Sequence, residues 1–287
     1  MSGGAGPAAG ILAQVAPPDL APWVRGITVY RDTAAQPIRQ TEAAGLVVPL
    51  IIGLGDPLRI GLGSPPGEDD RFTSFAAGLG RAPVFIRSLG GVHCLQIDLT
   101  PPGAFRVLRR PLGALTDRAV PLEALDDPAL HTLRDRLGEA TDAPHALRIA
   151  TAFLVTRLRA GEALDDRVFR AYRRIVASSG QTRIAALAGQ VGWSRKHLAA
   201  RFGREIGLPP KTVARLARFE AAQGLARSGR ATGWADVAAA CGFADQAHLS
   251  ADFRAFAGLA PGAWAARHRQ AGEVTFPQDG GEPARPE

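Results

Sequence analysis

The sequence predicts an α+β protein with a β-rich, barrel- or sandwich-like N-terminal domain, a helical connector and an all-α C-terminal domain. Three observations support this. With 287 residues, the chain is long enough for about two domains. Short apolar runs broken by glycine and proline fill residues 17–120, and helical spacing of apolar residues begins near residue 121. A helical unit then occurs twice within residues 182–268.

The β-rich domain is predicted at residues 17–120, after a small-residue, low-complexity segment at 1–16 that is expected to be disordered. Short apolar runs bounded by turn residues are typical of strands. The runs predicted as strands are 26–30, 46–54, 58–62, 83–88, 92–99 and 105–108.

The helical connector is predicted at residues 121–177. Apolar stripes with helical spacing begin at Leu122, Leu147 and Val168. They fit packing on the β-rich domain and, equally, an exposed surface that forms a homodimer. The all-α domain is predicted at residues 178–270. Residues 271–287, rich in proline and glycine, are expected to be a disordered tail.

The net charge of +7 is concentrated in one block. Residues 1–177 hold 20 basic and 18 acidic residues, residues 178–270 hold 13 and 5, and residues 271–287 hold 1 and 4. Abundant arginine, alanine, glycine and proline are also typical of a GC-rich coding sequence, so the total charge alone decides little. Its concentration in one domain-sized block indicates a surface for an anionic partner.

Several protein classes are disfavoured by composition. Cys94 and Cys241 are too few for a disulfide scaffold or a cysteine-rich zinc site. No run of 18 apolar residues and no signal-peptide pattern is present. We therefore expect a cytoplasmic protein without membrane partner, cofactor or metal.

The most informative feature is a unit that occurs twice in the basic block. Each copy has a glycine, an aromatic residue, a polar helix start, and a leucine four residues before a phenylalanine. These residues are Gly192, Trp193, Ser194, Leu198 and Phe202 in the first copy, and Gly242, Phe243, Asp245, Leu249 and Phe253 in the second. Glycine accepts the positive φ that ends a helix, and serine or aspartate caps the next one. The pattern predicts two helix-turn-helix units.

The apolar members of both units are predicted to form their core. They are Leu187, Trp193, Leu198, Phe202, Phe243, Leu249 and Phe253. Residues 211–227 are predicted to form one longer helix that holds the two units at a fixed separation. Two recognition helices roughly 34 Å apart could enter successive major-groove segments from one face of DNA.

Residues 182–268 resemble the double helix-turn-helix domain of the AraC/XylS family of bacterial transcription regulators. The resemblance is closest at residues 242–254 and at the following Gly258, Leu259, Ala260 and Pro261. It implies double-stranded DNA as a partner and two recognition helices that contact it. The N-terminal two-thirds resembles the sensor half of such regulators only in position and in its β-then-α order, so no ligand site is implied.

A helical wheel selects the candidate DNA-contacting residues. In the first recognition helix they are Ser194, Arg195, Lys196, His197, Arg201 and Arg204, and in the second Asp245, Gln246, His248 and Arg254. Arg204 and Arg254 are expected at phosphates or in solvent. For His197 and His248, packing, phosphate contact and base contact stay open.

The two recognition helices differ in chemistry. Many members of the family have arginine where this chain has Ala200 and Ala251. Each bidentate arginine–guanine pair contributes roughly 1–3 kcal/mol of discrimination. We therefore predict that the cationic first helix supplies most of the specificity and that the second mainly positions the DNA backbone.

These features predict a sequence-specific, DNA-binding transcription regulator. A small-molecule effector or a homodimer contact in the N-terminal domain is expected to modulate it. One alternative is an architectural DNA-binding protein without ligand response. A less favoured alternative is an enzyme fused to a DNA-binding domain. It has little support because His93 and Cys94 would point to opposite faces of a strand, and no catalytic residue is assigned.

Overall fold

The structure is a computed structural model that describes residues 10–15, 17–32, 37–228 and 231–270. The strands in these ranges are β1 (Gly10–Val15), β2 (Val24–Arg31), β3 (Ile38–Glu42), β4 (Val48–Gly53), β5 (Leu58–Leu62), β6 (Arg71–Phe72), β7 (Phe75–Ala77), β8 (Val84–Ser88), β9 (His93–Leu99) and β10 (Ala119–Pro121). The α-helices are α1 (Pro101–Leu108), α2 (Pro128–Gly138), α3 (Ala143–Ala160), α4 (Asp166–Ala177), α5 (Ile184–Gln190), α6 (Arg195–Glu205), α7 (Pro210–Arg227), α8 (Trp234–Ala240), α9 (Gln246–Ala257) and α10 (Pro261–Gln270).

The strands form two antiparallel sheets, which confirms the predicted α+β class. The larger sheet has the order β1-β2-β9-β4-β7-β10, and the smaller has β3-β8-β5-β6. Alternate residues of the larger sheet, such as Tyr30 and Cys94, pack with Ile60 and Ile86 of the smaller sheet. The opposite face, which includes Ile97, joins the core formed with the helices. The arrangement is a sandwich rather than a barrel, because the described strands leave both sheets with open edges.

Two sequence predictions are wrong in the N-terminal half. The run 105–108, expected as a strand, lies in α1, whose start is capped by the Thr100 hydroxyl accepting from the Gly103 N–H at 3.2 Å. Because α1 is buried on nearly all sides, its sequence lacks the apolar–polar pattern that distinguishes a helix from a strand. The expected disordered segment 1–16 includes β1, whose backbone pairs with β2. Residues 1–9, residue 16 and the tail at 271–287 lie outside the described residues.

The N-terminal and C-terminal domains contact each other. The Ala44 N–H donates to the Phe256 carbonyl at 2.8 Å, and the Leu46 N–H donates to Glu220 Oε1 at 2.6 Å. The Arg25 guanidinium on β2 pairs with the same Glu220 carboxylate, at 3.1 Å. Glu220 lies on α7, between the two helix-turn-helix units. The N-terminal domain therefore contacts the helix that connects these units.

A buried polar row lies on the face of the larger sheet that is turned toward the smaller one. Gln96 pairs with Thr28 across the strands, and its side-chain amide donates to Asp98 Oδ1 at 2.8 Å. Desolvation raises the pKa of the Asp98 carboxyl from 3.8 to about 6, although the Gln96 hydrogen bond and the Arg25 charge both lower it. Ionisation of Asp98 therefore opposes folding near neutral pH.

Replacing Asp98 by asparagine tests this effect. Because the folded-state pKa lies above the unfolded one, the native chain loses stability as pH rises from about 4 to about 6. Asp98→Asn removes the ionisation and is expected to raise the free energy of unfolding at pH 7.5 by on the order of 2 kcal/mol relative to the native chain. Urea unfolding at pH 4.5 and 7.5 measures the free energy of unfolding of both proteins, with the exposed change Asp69→Asn as the control. Equal pH dependence in the native chain and Asp98→Asn would contradict it.

Candidate nucleic-acid interface

The two helix-turn-helix units have the same backbone conformation at the turn. In the first, Gly192 ends α5 with φ of 70°, and the Trp193 N–H donates back to the Ala188 carbonyl at 2.9 Å. In the second, Gly242 ends α8 with φ of 75°, and the Phe243 N–H donates to the Ala238 carbonyl at 2.9 Å. Glycine is favoured at both turns because other residues are strained at this φ.

Each recognition helix begins at the predicted polar residue. The Ser194 hydroxyl accepts from the His197 N–H at 3.1 Å at the start of α6. The Asp245 carboxylate accepts from the His248 N–H at 2.7 Å at the start of α9. These caps satisfy backbone donors that a helix start leaves unpaired, and they fix where each recognition helix begins.

The predicted core residues are buried, with one partial exception. Leu187, Leu198, Phe202, Phe243, Leu249 and Phe253 are buried. Trp193 is only half-buried. Its ring lies below the Arg167 guanidinium, 5.3 Å from the ring centroid, and meets the His197 ring edge-on at 4.6 Å. Trp193 therefore joins α4 to the start of α6.

Helix α7 holds the second unit through aromatic and charged contacts. The Phe219 ring meets the Phe253 and Phe256 rings of α9 at centroid distances of 4.9 and 5.3 Å. Arg215 pairs with the buried Asp252 carboxylate at 2.6 Å. These contacts orient α9 relative to α7.

The outward face of α6 is cationic. Its exposed side chains are Arg195, Lys196, His197, Ala200 and Arg204. Within the described ranges, none of these basic side chains forms an ion pair. Their charges are therefore available to an anionic partner.

Arg201 does not share this outward face. Its guanidinium pairs with the buried Glu205 carboxylate at 2.5 Å and with Asp165 at 3.5 Å. Glu205 also accepts from the Asp165 N–H at 2.9 Å. The structure thus ties Arg201 to the start of α4, away from the cations predicted to accompany it. The wheel angle alone, on the flank of the helix, could not reveal the partner at position 165.

The outward face of α9 is mostly apolar and small. Its exposed residues are Gln246, Ala247, Ala251, Arg254 and Ala255. His248 is half-buried, and its ring packs edge-on against Phe243 at 5.3 Å. Apart from the capping Asp245, only Gln246 and Arg254 of the predicted contacts are fully exposed along this helix.

The His93–Cys94 pair is not arranged for catalysis. Cys94 lies inside the sandwich, where burial raises the pKa of its thiol to about 12, so the nucleophilic thiolate is disfavoured. Over the described ranges, no three His, Cys, Asp or Glu side chains cluster as a metal site. In the same part of the chain, every helix is too short or too polar to span a bilayer.

Residues 187–267 match the protein family described as "Helix-turn-helix domain". No curated protein matches the chain. Among solved structures, ToxT from Vibrio cholerae is 12% identical, with 84% of this chain and 97% of ToxT covered and a TM-score of 0.44. ToxT from Vibrio cholerae strain SCE256 bound to an unsaturated fatty acid is 13% identical, with 83% and 94% covered and a TM-score of 0.43. The AraC-like transcriptional activator CuxR is 10% identical, with 67% and 79% covered and a TM-score of 0.25.

Two capped helix-turn-helix units joined by one buried helix, together with the match at 187–267, define a DNA-binding transcription regulator. The domain at residues 187–267 is a helix-turn-helix domain of the AraC type, which confirms the resemblance drawn from residues 182–268.

Proposed function

We propose that the protein recognises a specific operator and that α6 supplies most of the base readout. One observation carries this proposal: two units with the same backbone present different outward faces. Arg195, Lys196 and Arg204 are exposed on α6, whereas α9 exposes Ala247, Ala251 and Ala255 along its length. Lysine and arginine bind guanine edges and phosphates, but alanine offers only a contact to a thymine methyl group.

The second helix then contributes mainly to positioning. Gln246 lies at the start of α9 and Arg254 in its last turn, so the exposed polar side chains of α9 lie near the two ends of the helix. Contacts to phosphates fix the orientation of a protein on DNA without distinguishing sequences. Such a helix would increase affinity at every operator and discriminate weakly among them.

We further propose that the N-terminal domain regulates DNA binding through Glu220. The Glu220 carboxylate accepts the Leu46 N–H and pairs with Arg25, so a change in β2 reaches α7 directly. On α7, Phe219 and Arg215 in turn contact Phe253 and Asp252 of α9. A small molecule or a second copy of the chain that favours one state of the N-terminal domain would thereby alter the presentation of the recognition helices.

Comparing Lys196→Ala with Gln246→Ala tests the unequal readout. On operators selected from random DNA and on single-base variants of them, Lys196→Ala is expected to lower discrimination about tenfold at one position. Gln246→Ala is expected to weaken binding to all variants by a similar factor. Fluorescence anisotropy at a fixed salt concentration measures the affinity of each variant for each operator, and the ratios of these affinities give the base discrimination. A larger loss of base preference in Gln246→Ala would contradict the assignment, and coating of all DNA by the native chain would favour an architectural protein.

Replacing Glu220 by alanine tests the coupling between domains. The change removes the acceptor for Arg25 and for the Leu46 N–H, so the full chain is expected to lose about fivefold in operator affinity, roughly 1 kcal/mol. Arg25→Ala should reproduce part of this loss, because the pair is only partly buried. Glu139→Ala, an exposed change directly after α2, is the control. Unchanged affinity in Glu220→Ala would rule out regulation through this contact.

A further inference from the structure

A row of arginines follows one side of α4. Arg167, Arg170 and Arg174 are exposed, and their spacing of three and four residues places them on neighbouring turns of one helix face. The buried face of α4, formed by Val168, Ala171, Tyr172 and Ile175, lies on the other side. We call these three arginines the α4 row.

The α4 row leads directly to the first recognition helix. Arg167 lies over the Trp193 ring in the turn before α6, 5.3 Å from its centroid. The same ring contacts His197, which is exposed on α6. Arg167, the first arginine of the row, therefore lies next to the first unit, beside the cationic surface of α6.

The charge of the α4 row is not neutralised within the protein. Among described residues, none of the three guanidinium groups forms an ion pair with a carboxylate. Asp165, at the start of α4, is engaged by Arg201 instead. Arg173 differs from the row, since it lies over the Phe169 ring, 5.8 Å from the centroid, on another side of the helix. Three adjacent unpaired cations repel one another, and an anionic partner would relieve that repulsion.

We propose that the α4 row binds DNA phosphates beside the bases contacted by α6, so that α4 is a third DNA-contacting element. The inference rests on the proposed function, because α6 must first place the DNA. Arg167 to Arg174 spans about 10 Å of helix, a length over which one DNA strand presents about three phosphates. Arginine suits this partner because its planar fork binds phosphate oxygens in pairs.

The test uses the full chain and the double variant Arg170→Ala/Arg174→Ala, which keeps Arg167 on Trp193. Operator affinity is measured from 50 to 300 mM salt. Each lost phosphate contact lowers the slope of log affinity against log salt by about 0.9, so the variant is expected to lose about 1.8 in slope and tenfold or more in affinity, with base preference unchanged. Arg136→Ala/Arg148→Ala, which removes two exposed arginines from α2 and α3, is the matched control and should keep the native slope.

Two results would overturn the α4 proposal while leaving the proposed function intact. One is an unchanged salt slope in Arg170→Ala/Arg174→Ala while Lys196→Ala still loses operator preference. The other is an unchanged slope with lost control of transcription in vitro, which would assign the row to an acidic protein partner. Absence of operator preference in the native chain would instead reject the proposed function. Thermal unfolding of each variant checks that it is folded.

Discussion

Helix α7 packs at the centre of the C-terminal domain and also contacts the N-terminal domain. Its apolar residues, among them Val213, Leu216 and Phe219, are buried in the core of the C-terminal domain. Two of its charged side chains form ion pairs or hydrogen bonds with other elements. Arg215 pairs with Asp252 on α9, and Glu220 binds Arg25 and the Leu46 N–H in the N-terminal domain. A displacement of α7 would therefore disturb the second recognition helix and the interface between domains together.

The first helix-turn-helix unit is attached to its neighbouring helix by a different ion pair from the second. This difference helps to explain how two units with similar backbones have outward faces of different composition. The residue before the core phenylalanine is Arg201 in the first unit and Asp252 in the second. Arg201 binds Glu205 and Asp165, which joins α6 to α4, whereas Asp252 binds Arg215 on α7. Both residues serve internal pairing, which leaves the outward faces free to differ. On α6 that face retains cations, and on α9 it is mostly alanine.

Local patterns were sufficient to predict the two units but not their connections. Gly192, Ser194 and the Leu198–Phe202 spacing determine a turn, a cap and a buried face within a few residues, so they can be recognised in the sequence. Arg201 and Glu205 lie four residues apart on α6, a spacing that the sequence shows. The second partner of Arg201, Asp165, lies 36 residues earlier, and the partner of Glu220 lies in β2, so these two pairs have no local signal. Helix α1 was mistaken for a strand because burial on most sides removes its periodicity.

The arginines of α4 could be predicted only in part from the sequence. Their spacing is visible in the sequence, but only the contact between Arg167 and Trp193 relates them to the recognition helix. The apolar stripe of α4 predicts that one face of the helix is buried. A function for the arginines on its exposed side can be inferred only once the first helix-turn-helix unit is known to lie beside them. The same holds for Glu220, whose role depends on the sheet that packs beside it.

We propose that α7 presents the two recognition helices to one face of the DNA. Its 18 residues make a helix about 27 Å long, compatible with half-sites about one DNA turn apart. A hydroxyl-radical footprint of the full chain on a selected operator tests this most directly. Two protected segments, centred about 10 base pairs apart on the same face of the duplex, are expected. A single protected segment, or uniform protection of any DNA, would contradict it.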